Sequence, residues 1–338
     1  MAARIDEDGL KQAWRALSGS GVGDGWRTIP LHLNAPSRLM AGRRFPGDEE
    51  ALIAGFSSIK LPPASYLPQG QGFRVVGLPS GALPTTHIWI ALCRQPAGTL
   101  DMFAMMAADV ARLLEDCAKL PDERIFLLFL GRIRAWQNFM EKGRTGLLSE
   151  EGEVGLFGEL VVLKDVIDAG MPPSDALDAW QGPLDGLQDF FIGTGAIEVK
   201  ATIAPLGFPT KISSLDQLDE TQRQPLFLAG VRLALGLGHT LPKFAAELRE
   251  ALKGDAAASA TFESRLMQAG FLSIHADKYV RQFTVSGTIC KVIEGEFPRL
   301  TRANVAAGVT NARYEIDLAT PGFDDIGLDQ ALTQLGIR

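Results

Sequence analysis

Apolar and polar residues alternate along the first part of the chain and change to a helical spacing near Leu100. Alternating residues point to opposite faces of a strand, so this pattern, broken by Pro and Gly, predicts β-structure. The predicted strands are Trp26–Leu33, Arg38–Phe45, Gly72–Leu78 and His87–Cys93, after a short helix at Lys11–Leu17. We therefore expect a β-rich N-terminal domain over residues 1–98.

Two amphipathic helices are predicted between the β-rich part and Ser149. The first carries an apolar stripe, and such a methionine-rich stripe at helical spacing indicates core packing. The stripe comprises Met102, Met105, Met106, Val110, Leu113 and Leu114. The second helix runs from about Glu123 to Lys142. Together these helices predict a helical connector over residues 99–148.

Helices and strands are mixed after Ser149. This serine is predicted to cap a helix that ends near Gly170, and Gly155 and Gly158 within it indicate a close approach of other backbone. The later predicted strands are Ile197–Thr202, Phe208–Ile212, Pro225–Leu235, Tyr279–Val292 and Ala312–Leu318. The later predicted helices are a short one from Ser214, then Lys243–Leu252 and Ala256–Ala269. The order predicts an α/β (α+β) fold over residues 149–338, a mixed sheet flanked by helices.

The stretch from Gln188 to Lys200 holds the candidate chemistry. Asp189 precedes a hairpin turn, and Glu198 and Lys200 then lie on the same face of the following strand. Two carboxylates and an ammonium on one rim can bind a hard divalent cation and orient a water molecule beside it. This is equipment for hydrolysing a phosphodiester. The alternative is an exposed hairpin in which Glu198 and Lys200 form a surface ion pair.

The segments around this stretch resemble the PD-(D/E)XK nuclease superfamily, and in particular a bacterial family of that superfamily often found among phage-defence genes. The resemblance covers roughly Ser149 to Leu235. It rests on Gly158-Glu159-Leu160, Trp180-Gln181-Gly182-Pro183, Asp189-Phe190 and Ile197 to Thr202, and a fifth segment from Ile212 to Leu218 is similar. The chain departs from the superfamily pattern at Gln188, where a proline usually precedes the acid.

The resemblance implies a restriction-endonuclease-like fold and a Mg²⁺-dependent DNA endonuclease that leaves 5′-phosphates, with Mn²⁺ as a substitute. It implies that Asp189, Glu198 and the backbone carbonyl of Val199 bind the ion. Glu159 then holds a second ion or a metal-bound water, and Lys200 positions or deprotonates the attacking water. Burial lowers the pKa of a lysine and nearby acids raise it, so the sequence leaves the direction for Lys200 open.

Gln217 has two interpretations. Some branches of the superfamily place a glutamine near the site, on the helix after the Glu-x-Lys strand. Ser214-Leu215-Asp216-Gln217 also matches a capping box, in which the glutamine side chain returns to the start of the helix. One residue can serve both purposes.

Three functions from different classes compete. The first is an endonuclease subunit of a restriction or phage-defence system, acting with helicase or methyltransferase subunits and as a possible homodimer. The second is a catalytically inactive DNA-binding or assembly subunit that retains the fold. The third is a small-molecule or RNA hydrolase on an unrelated scaffold, which no triad or phosphate loop supports.

Composition and charge narrow these functions only a little. The 338 residues are 46% apolar and 22% charged, which is ordinary for a globular protein, and the net charge is −7. An acidic chain argues against extensive contact with phosphates, so we expect partners to supply part of the grip on DNA. A cluster of Arg38, Arg43 and Arg44 can meet phosphate or protect a strand edge, and the second interpretation is favoured. The second predicted helix carries a basic stripe that either faces DNA or is a solvated helix face, and the solvated face is favoured. The stripe comprises Arg132, Arg134, Lys142 and Arg144.

The remaining signals concern location and other chemistries. The three cysteines are far apart and are expected to be buried thiols in a reducing compartment. No pair of the four histidines has zinc-ligand spacing. No apolar segment follows the N-terminal Met-Ala-Ala-Arg, and no apolar run is long enough to span a membrane. We therefore expect a cytoplasmic protein.

Overall fold

A computed structural model describes residues 6–19, 23–31, 39–84, 86–141, 147–323 and 325–337. The chain divides into two compact units, Met1–Arg144 and Thr145–Arg338. The two helices predicted as a connector lie within the first unit. The three-part division into residues 1–98, 99–148 and 149–338 stays a prediction. None of the helices in the described ranges is long and apolar enough to cross a membrane.

The first unit is an antiparallel sheet with three α-helices among its described residues. The sheet has the strand order β1-β2-β3-β5-β4. The strands are β1 (Gly25–Pro30), β2 (Leu39–Phe45), β3 (Glu49–Phe56), β4 (Phe73–Gly77) and β5 (Ile88–Arg94). The helices are α1 (Glu7–Leu17), α2 (Leu100–Asp116) and α3 (Asp122–Glu141). The predicted β-rich region is thus confirmed, although Arg38 and part of the loop before it lie outside the described residues.

Strand β3 was not predicted from the sequence. It lies at the centre of the sheet, between β2 and β5, and all but its first residue are buried. A strand buried on both faces has no alternation of apolar and polar residues, so its pattern does not distinguish it from other apolar segments.

Three of the arginines considered as phosphate contacts in this unit, Arg43, Arg44 and Arg132, lie close to acids. Arg43 pairs with Asp48 and Glu50, and Arg44 lies 3.9 Å from Glu49. Arg132 is only 4% exposed and lies 3.6 Å from Asp109, so both the DNA-facing and the solvated interpretation of this residue were wrong. A buried arginine is stable there because a carboxylate accompanies it. Arg134 is exposed, and Lys142 and Arg144 lie outside the described residues.

The second unit is a mixed α+β structure, which confirms the predicted fold class. A four-stranded sheet has the order β10-β9-β7-β6, with β7 and β9 parallel and the other pairs antiparallel, and β8 pairs with β11 in a separate ribbon. The strands are β6 (Phe190–Ile192), β7 (Gly195–Thr202), β8 (Pro209–Ile212), β9 (Leu226–Thr240), β10 (Gln282–Val292) and β11 (Tyr314–Asp317). The helices are α4 (Glu150–Asp168), α5 (Pro173–Ala179), α6 (Leu241–Leu252), α7 (Ala256–Ala269) and α8 (Leu328–Gln334).

Helix α4 and strand β7 form the frame of the candidate site. The Ser149 hydroxyl accepts a hydrogen bond from the Gly152 N–H, so the predicted cap is confirmed. A Cβ built on Gly158 would lie 2.7 Å from the Cβ of Ala201 on β7, and this is the close approach that the helical glycine predicted. Without that glycine α4 would stand farther from the strand, and the residue after it, Glu159, would move away from the sheet.

The short helix predicted from Ser214 was wrong. This segment consists of bends and turns, held down by the buried side chains of Leu215 and Leu218. The side-chain amide of Gln188 donates to the backbone carbonyls of Asp216 and Gln217 at 3.4 Å. Those carbonyls therefore accept hydrogen bonds from a distant residue and not from a following turn of helix. Five residues are too few for a helix to form against such competing contacts.

Candidate active site

All the side chains predicted for the site line one pocket of the second unit. The pocket has a volume of about 600 Å³. Its lining includes Glu159, Asp189, Glu198, Lys200 and Gln217, together with Val199. These residues come from α4, the loop before β6, β7 and the turn after β8, so only the folded chain brings them together. The chemical role of each residue stays a prediction.

Glu198 and Lys200 project from the same face of β7, as the strand period predicted. Glu198 is 2% exposed, and its Oε1 lies 2.7 Å from the Nζ of Lys200, whose side chain is 20% exposed. The alternative of an exposed surface pair was therefore wrong, because the pair forms but is buried. The opposite face of β7 carries Ile197 and Val199, which pack in the core beneath α4.

Gln217 contacts both of the groups that its two interpretations require. Its Nε2 donates to Glu198 Oε1 at 3.0 Å, and its Oε1 accepts from the backbone N–H of Ser213 at 2.7 Å. The second contact resembles a capping box but closes a turn, since no helix follows. Gln217 and Lys200 thus donate to the same oxygen of Glu198 and fix the orientation of that carboxylate.

Asp189 is held against the edge of β7. Its Oδ2 accepts a hydrogen bond from the Val199 N–H at 2.7 Å. In a strand the N–H and C=O of one residue project to the same edge, so the Val199 carbonyl also faces the side where Asp189 lies. Asp189 and the Val199 carbonyl thus lie at the same edge of β7, beside Glu198. This part of the edge lies just beyond the pair of Phe190 and Ile197, where the pairing with β6 ends.

The Trp180-Gln181-Gly182 segment positions two of the acids at once. The backbone N–H groups of Gln181 and Gly182 donate to the carbonyl of Asp189 at 2.7 and 3.1 Å. The Trp180 indole is buried, and its Nε1 donates to Glu159 Oε2 at 2.7 Å. A Cβ on Gly182 would lie 2.6 Å from Glu159 Oε2 and 2.7 Å from Asp189 Oδ1. Sequence reasoning missed this role of Gly182, and the only signal for it was the Trp-Gln-Gly-Pro segment itself.

Residues 10–319 match the model of the family described as "Putative PD-(D/E)XK family member (DUF4420)". The chain belongs to this family. The match extends over both units of the DUF4420 protein, whereas the resemblance seen in the sequence was confined mainly to Ser149 to Leu235. The mixed sheet flanked by helices agrees with a PD-(D/E)XK-like fold. Neither the curated proteins nor the solved structures contain a match to the chain.

Burial and mutual repulsion make the carboxyls of the DUF4420 site hard to ionise. Burial, followed by the negative charge of Asp189, raises the pKa of Glu159 well above its usual value. The same two causes raise the pKa of Glu198 from 4.5 to about 8, although Lys200 opposes them. Burial also raises the pKa of Asp189, against the opposing effects of Lys200 and the Val199 N–H. Three buried acids around one pocket favour either protons or a cation.

Lys200 is a charged ammonium in this site. Burial lowers its pKa, but the charges of Glu198 and Asp189 and the hydrogen bond to Glu198 together outweigh burial, so the pKa is raised. This resolves the direction that the sequence left open. A lysine with a raised pKa is a poor general base at neutral pH, so in the metal-free site Lys200 carries a positive charge and donates a hydrogen bond to Glu198.

The donor set fits a divalent cation that keeps several of its waters. In the described ranges no group of three or more His, Cys, Asp or Glu side chains is arranged to hold a metal ion. Among the described contacts, each acid accepts hydrogen bonds from protein donors through one of its two oxygens. The accepting oxygens are Glu159 Oε2, Asp189 Oδ2 and Glu198 Oε1. The second oxygens remain for a ligand. Mg²⁺ is usually bound through one or two carboxylates together with waters, so an open arrangement suits it.

We expect Glu159→Gln to stabilise the metal-free protein at alkaline pH. The folded-state pKa of Glu159 lies above its unfolded value, so the stability linked to this carboxyl is full below pH 4.5 and is lost as the pH rises through the folded pKa. The glutamine keeps an acceptor for Trp180 but cannot ionise, so the variant does not lose this stability. The measurement is the melting temperature in EDTA at pH 4.5 and at about pH 8, where Glu198 also titrates.

The expected result is a difference in melting temperature that favours the variant at the higher pH and shrinks at the lower pH. Glu247→Gln serves as the control, because Glu247 is half-exposed and lies outside the pocket. A melting difference between Glu159→Gln and the wild type that stays constant with pH would contradict the raised pKa.

Proposed function

We propose that this DUF4420 protein is a metal-dependent nuclease that hydrolyses phosphodiester bonds in DNA, with Mg²⁺ as its cation and Mn²⁺ as a substitute. The observation that carries the proposal is the convergence of Glu159, Asp189, Glu198 and Lys200 on one pocket. Membership of a family related to PD-(D/E)XK nucleases supports the same chemistry. Family membership also argues against the third function, a small-molecule or RNA hydrolase on an unrelated scaffold.

Asp189, Glu198 and the Val199 carbonyl are the proposed ligands of the cation, and Glu159 holds a second ion or a bound water. A bound divalent cation supplies charge neutralisation on the phosphate and a more acidic water. Among the protein groups, Trp180 and Val199 keep their acids in place through N–H donors.

Lys200 is proposed to orient the attacking water and to stabilise the negative charge that develops on the phosphate. The raised pKa of Lys200 supports this electrostatic role, because the ammonium stays charged throughout the neutral range. Gln217 is proposed to hold the Glu198 carboxylate in one orientation through its hydrogen bond to Oε1. Deprotonation of the water by Lys200 is the alternative, since a bound cation would offset the charges of Glu198 and Asp189 that raise the pKa of Lys200.

We expect Mg²⁺ to support conversion of supercoiled plasmid to nicked or linear DNA, and EDTA to abolish it. Asp189→Asn is expected to lose both cleavage and Mn²⁺ binding, because asparagine keeps an acceptor for the Val199 N–H but lacks the charge that holds the cation. Plasmid cleavage and titration calorimetry with Mn²⁺ measure the two effects on the full chain.

The matched control is Asp277→Asn, since Asp277 is an exposed acid that pairs with the neighbouring Lys278. Mn²⁺ binding that requires Asp189, without cleavage either alone or with the products of neighbouring genes, would favour the inactive DNA-binding or assembly subunit. Metal-independent cleavage would rule out the proposed mechanism.

The biological setting is the finer part of the proposal. A place in a restriction or phage-defence system, in the cytoplasm, is proposed from the resemblance in sequence. The net charge of −7 supports partners, such as helicase or methyltransferase subunits, that contribute to the grip on DNA. A homodimer is proposed because cutting both strands requires two sites.

A further inference from the structure

The pocket around Glu198 is lined by more acids than the three assigned to the proposed cation site. Its lining in the described ranges contains six carboxyl side chains against three cations. The acids are Glu150, Glu151, Glu159, Asp189, Glu198 and Glu315. The first two and the last lie outside the proposed cation site. A phosphodiester that enters the pocket meets these outer carboxylates, and like charges repel.

One outer acid, Glu151, pairs across the pocket with Lys211. Glu151 lies in the first turn of α4 and Lys211 on β8, and Oε1 is 2.6 Å from Nζ. The side chains are 81% and 66% exposed. The hydrogen bond between them lowers the pKa of Glu151 and raises that of Lys211, so both are charged at neutral pH. Water and salt screen such an exposed pair, so another anion can replace Glu151 on Lys211.

A second outer acid, Glu150, pairs with Arg281 in the same way. Arg281 is held in place by the buried acid Glu153. The Nε and one terminal nitrogen of Arg281 donate to Glu153 Oε2, at 2.9 and 2.7 Å. The other terminal nitrogen lies 3.0 Å from Glu150 Oε2, and the Glu150 side chain is 87% exposed. Arg281 is therefore a fixed guanidinium whose outer nitrogen faces a replaceable carboxylate.

We propose that Lys211 and Arg281 contact phosphates of duplex DNA next to the scissile bond, and that Glu151 and Glu150 occupy them until the DNA arrives. This inference rests on the proposed function, because it assigns these residues to the substrate of the same pocket. A lysine ammonium and the fork of an arginine are the groups that phosphate oxygens prefer. The first turn of α4 then acts as an intramolecular competitor of the DNA backbone.

The competition has a consequence for binding that a purely structural ion pair lacks. Removal of a competing carboxylate frees its cation and removes a repulsive charge, so DNA binding becomes tighter. Removal of the cation weakens DNA binding and reduces its dependence on salt, since one phosphate contact is lost. If the pairs served only the stability of the fold, either change would leave the affinity for DNA unaltered.

The test is the fluorescence anisotropy of a labelled DNA duplex with the full chain in EDTA, over a series of NaCl concentrations. Glu151→Gln and Glu150→Gln are each expected to tighten binding about threefold. Lys211→Ala is expected to weaken it by at least about threefold and to lower the slope of log K against log salt by about 1. Lys211→Arg restores the affinity. Arg281 is tested through Glu150, because removal of the arginine would leave Glu153 buried without its partner.

The matched controls are Glu250→Gln and Lys253→Ala, an exposed ion pair on another helix with side chains 72% and 74% exposed. Shifts no larger than those of the controls would overturn the inference, as would a failure of the wild type and the Glu150→Gln/Glu151→Gln variant to bind the duplex. Cleavage by the wild type with unchanged affinities of the variants overturns this inference alone. The expected shifts without any cleavage in Mg²⁺, either alone or with the products of neighbouring genes, support the phosphate contacts of Lys211 and Arg281 and reject the catalytic function.

Discussion

Replacement of Lys200 by methionine is expected to lower the rate of Mg²⁺-dependent DNA cleavage on the order of a thousandfold. The methionine has a similar length and fills the same space on β7, but it has neither charge nor donor. Burial lowers the pKa of Lys200, but the neighbouring Glu198 and Asp189 raise it more, so the site without a bound cation contains an ammonium at neutral pH. Single-turnover cleavage of a labelled duplex measures the effect.

Two comparisons separate catalysis by Lys200 from its structural contact with Glu198. Lys253→Met removes a lysine of similar charge from an exposed position and is expected to leave the rate unchanged. Mn²⁺ affinity, measured on Lys200→Met itself, reports whether the carboxylates are still arranged to bind a cation. A rate within tenfold of the wild type, while Asp189→Asn is inactive, would show that Lys200 only neutralises its neighbours.

Local periodicity predicted the elements that frame the site. The spacing of Leu156, Leu160, Leu163 and Ile167 indicates a helix with an apolar face; in α4 the three leucines are buried and Ile167 is partly buried against the same core. Strand parity predicted that Glu198 and Lys200 share a face, and their contact at 2.7 Å follows from it. These features depend on residues that are close in sequence. For such residues the period of the helix or strand alone determines which side chains point to the same face.

Features that depend on distant residues were not predictable in this way. Strand β3 is identified by its neighbours β2 and β5, since its own residues are buried on both faces. The turn at Ser214 is determined by contacts of Gln188 and by the burial of two leucines, which override a local capping signal. Helices α5 and α8 have only seven residues each, too few for a periodic pattern to emerge.

The same division applies to the site. The types and order of its acids are visible in the sequence, but their ionisation depends on how deeply each is buried and on which charges surround it. Burial raises the pKa of Glu198 to about 8, a value that no property of the Glu-Val-Lys segment alone would indicate. The hydrogen bond between Trp180 and Glu159 joins residues that are 21 positions apart in different elements, so no local pattern in the sequence indicates it.

Gly182→Ala is expected to lower the cleavage rate on the order of a hundredfold, although it adds only a methyl group. The new Cβ would lie 2.6 Å from Glu159 Oε2 and 2.7 Å from Asp189 Oδ1, and real Cβ atoms do not approach other atoms so closely. The carboxylates must therefore move apart. Glu159 is held by Trp180 and Asp189 by the Val199 N–H, so any movement also strains or breaks these hydrogen bonds.

The displacement changes the arrangement of the acids without changing their number or charge, which makes this variant a test of geometry. Cleavage rate and Mn²⁺ affinity are expected to fall together, because both need the same positions of Glu159 and Asp189. Gly254→Ala is the control, since a Cβ at that exposed glycine meets no atom within 4 Å. If Gly182→Ala cleaves DNA and binds Mn²⁺ like this control, the positions of Glu159 and Asp189 do not determine cation binding or cleavage, which contradicts the roles proposed for both acids.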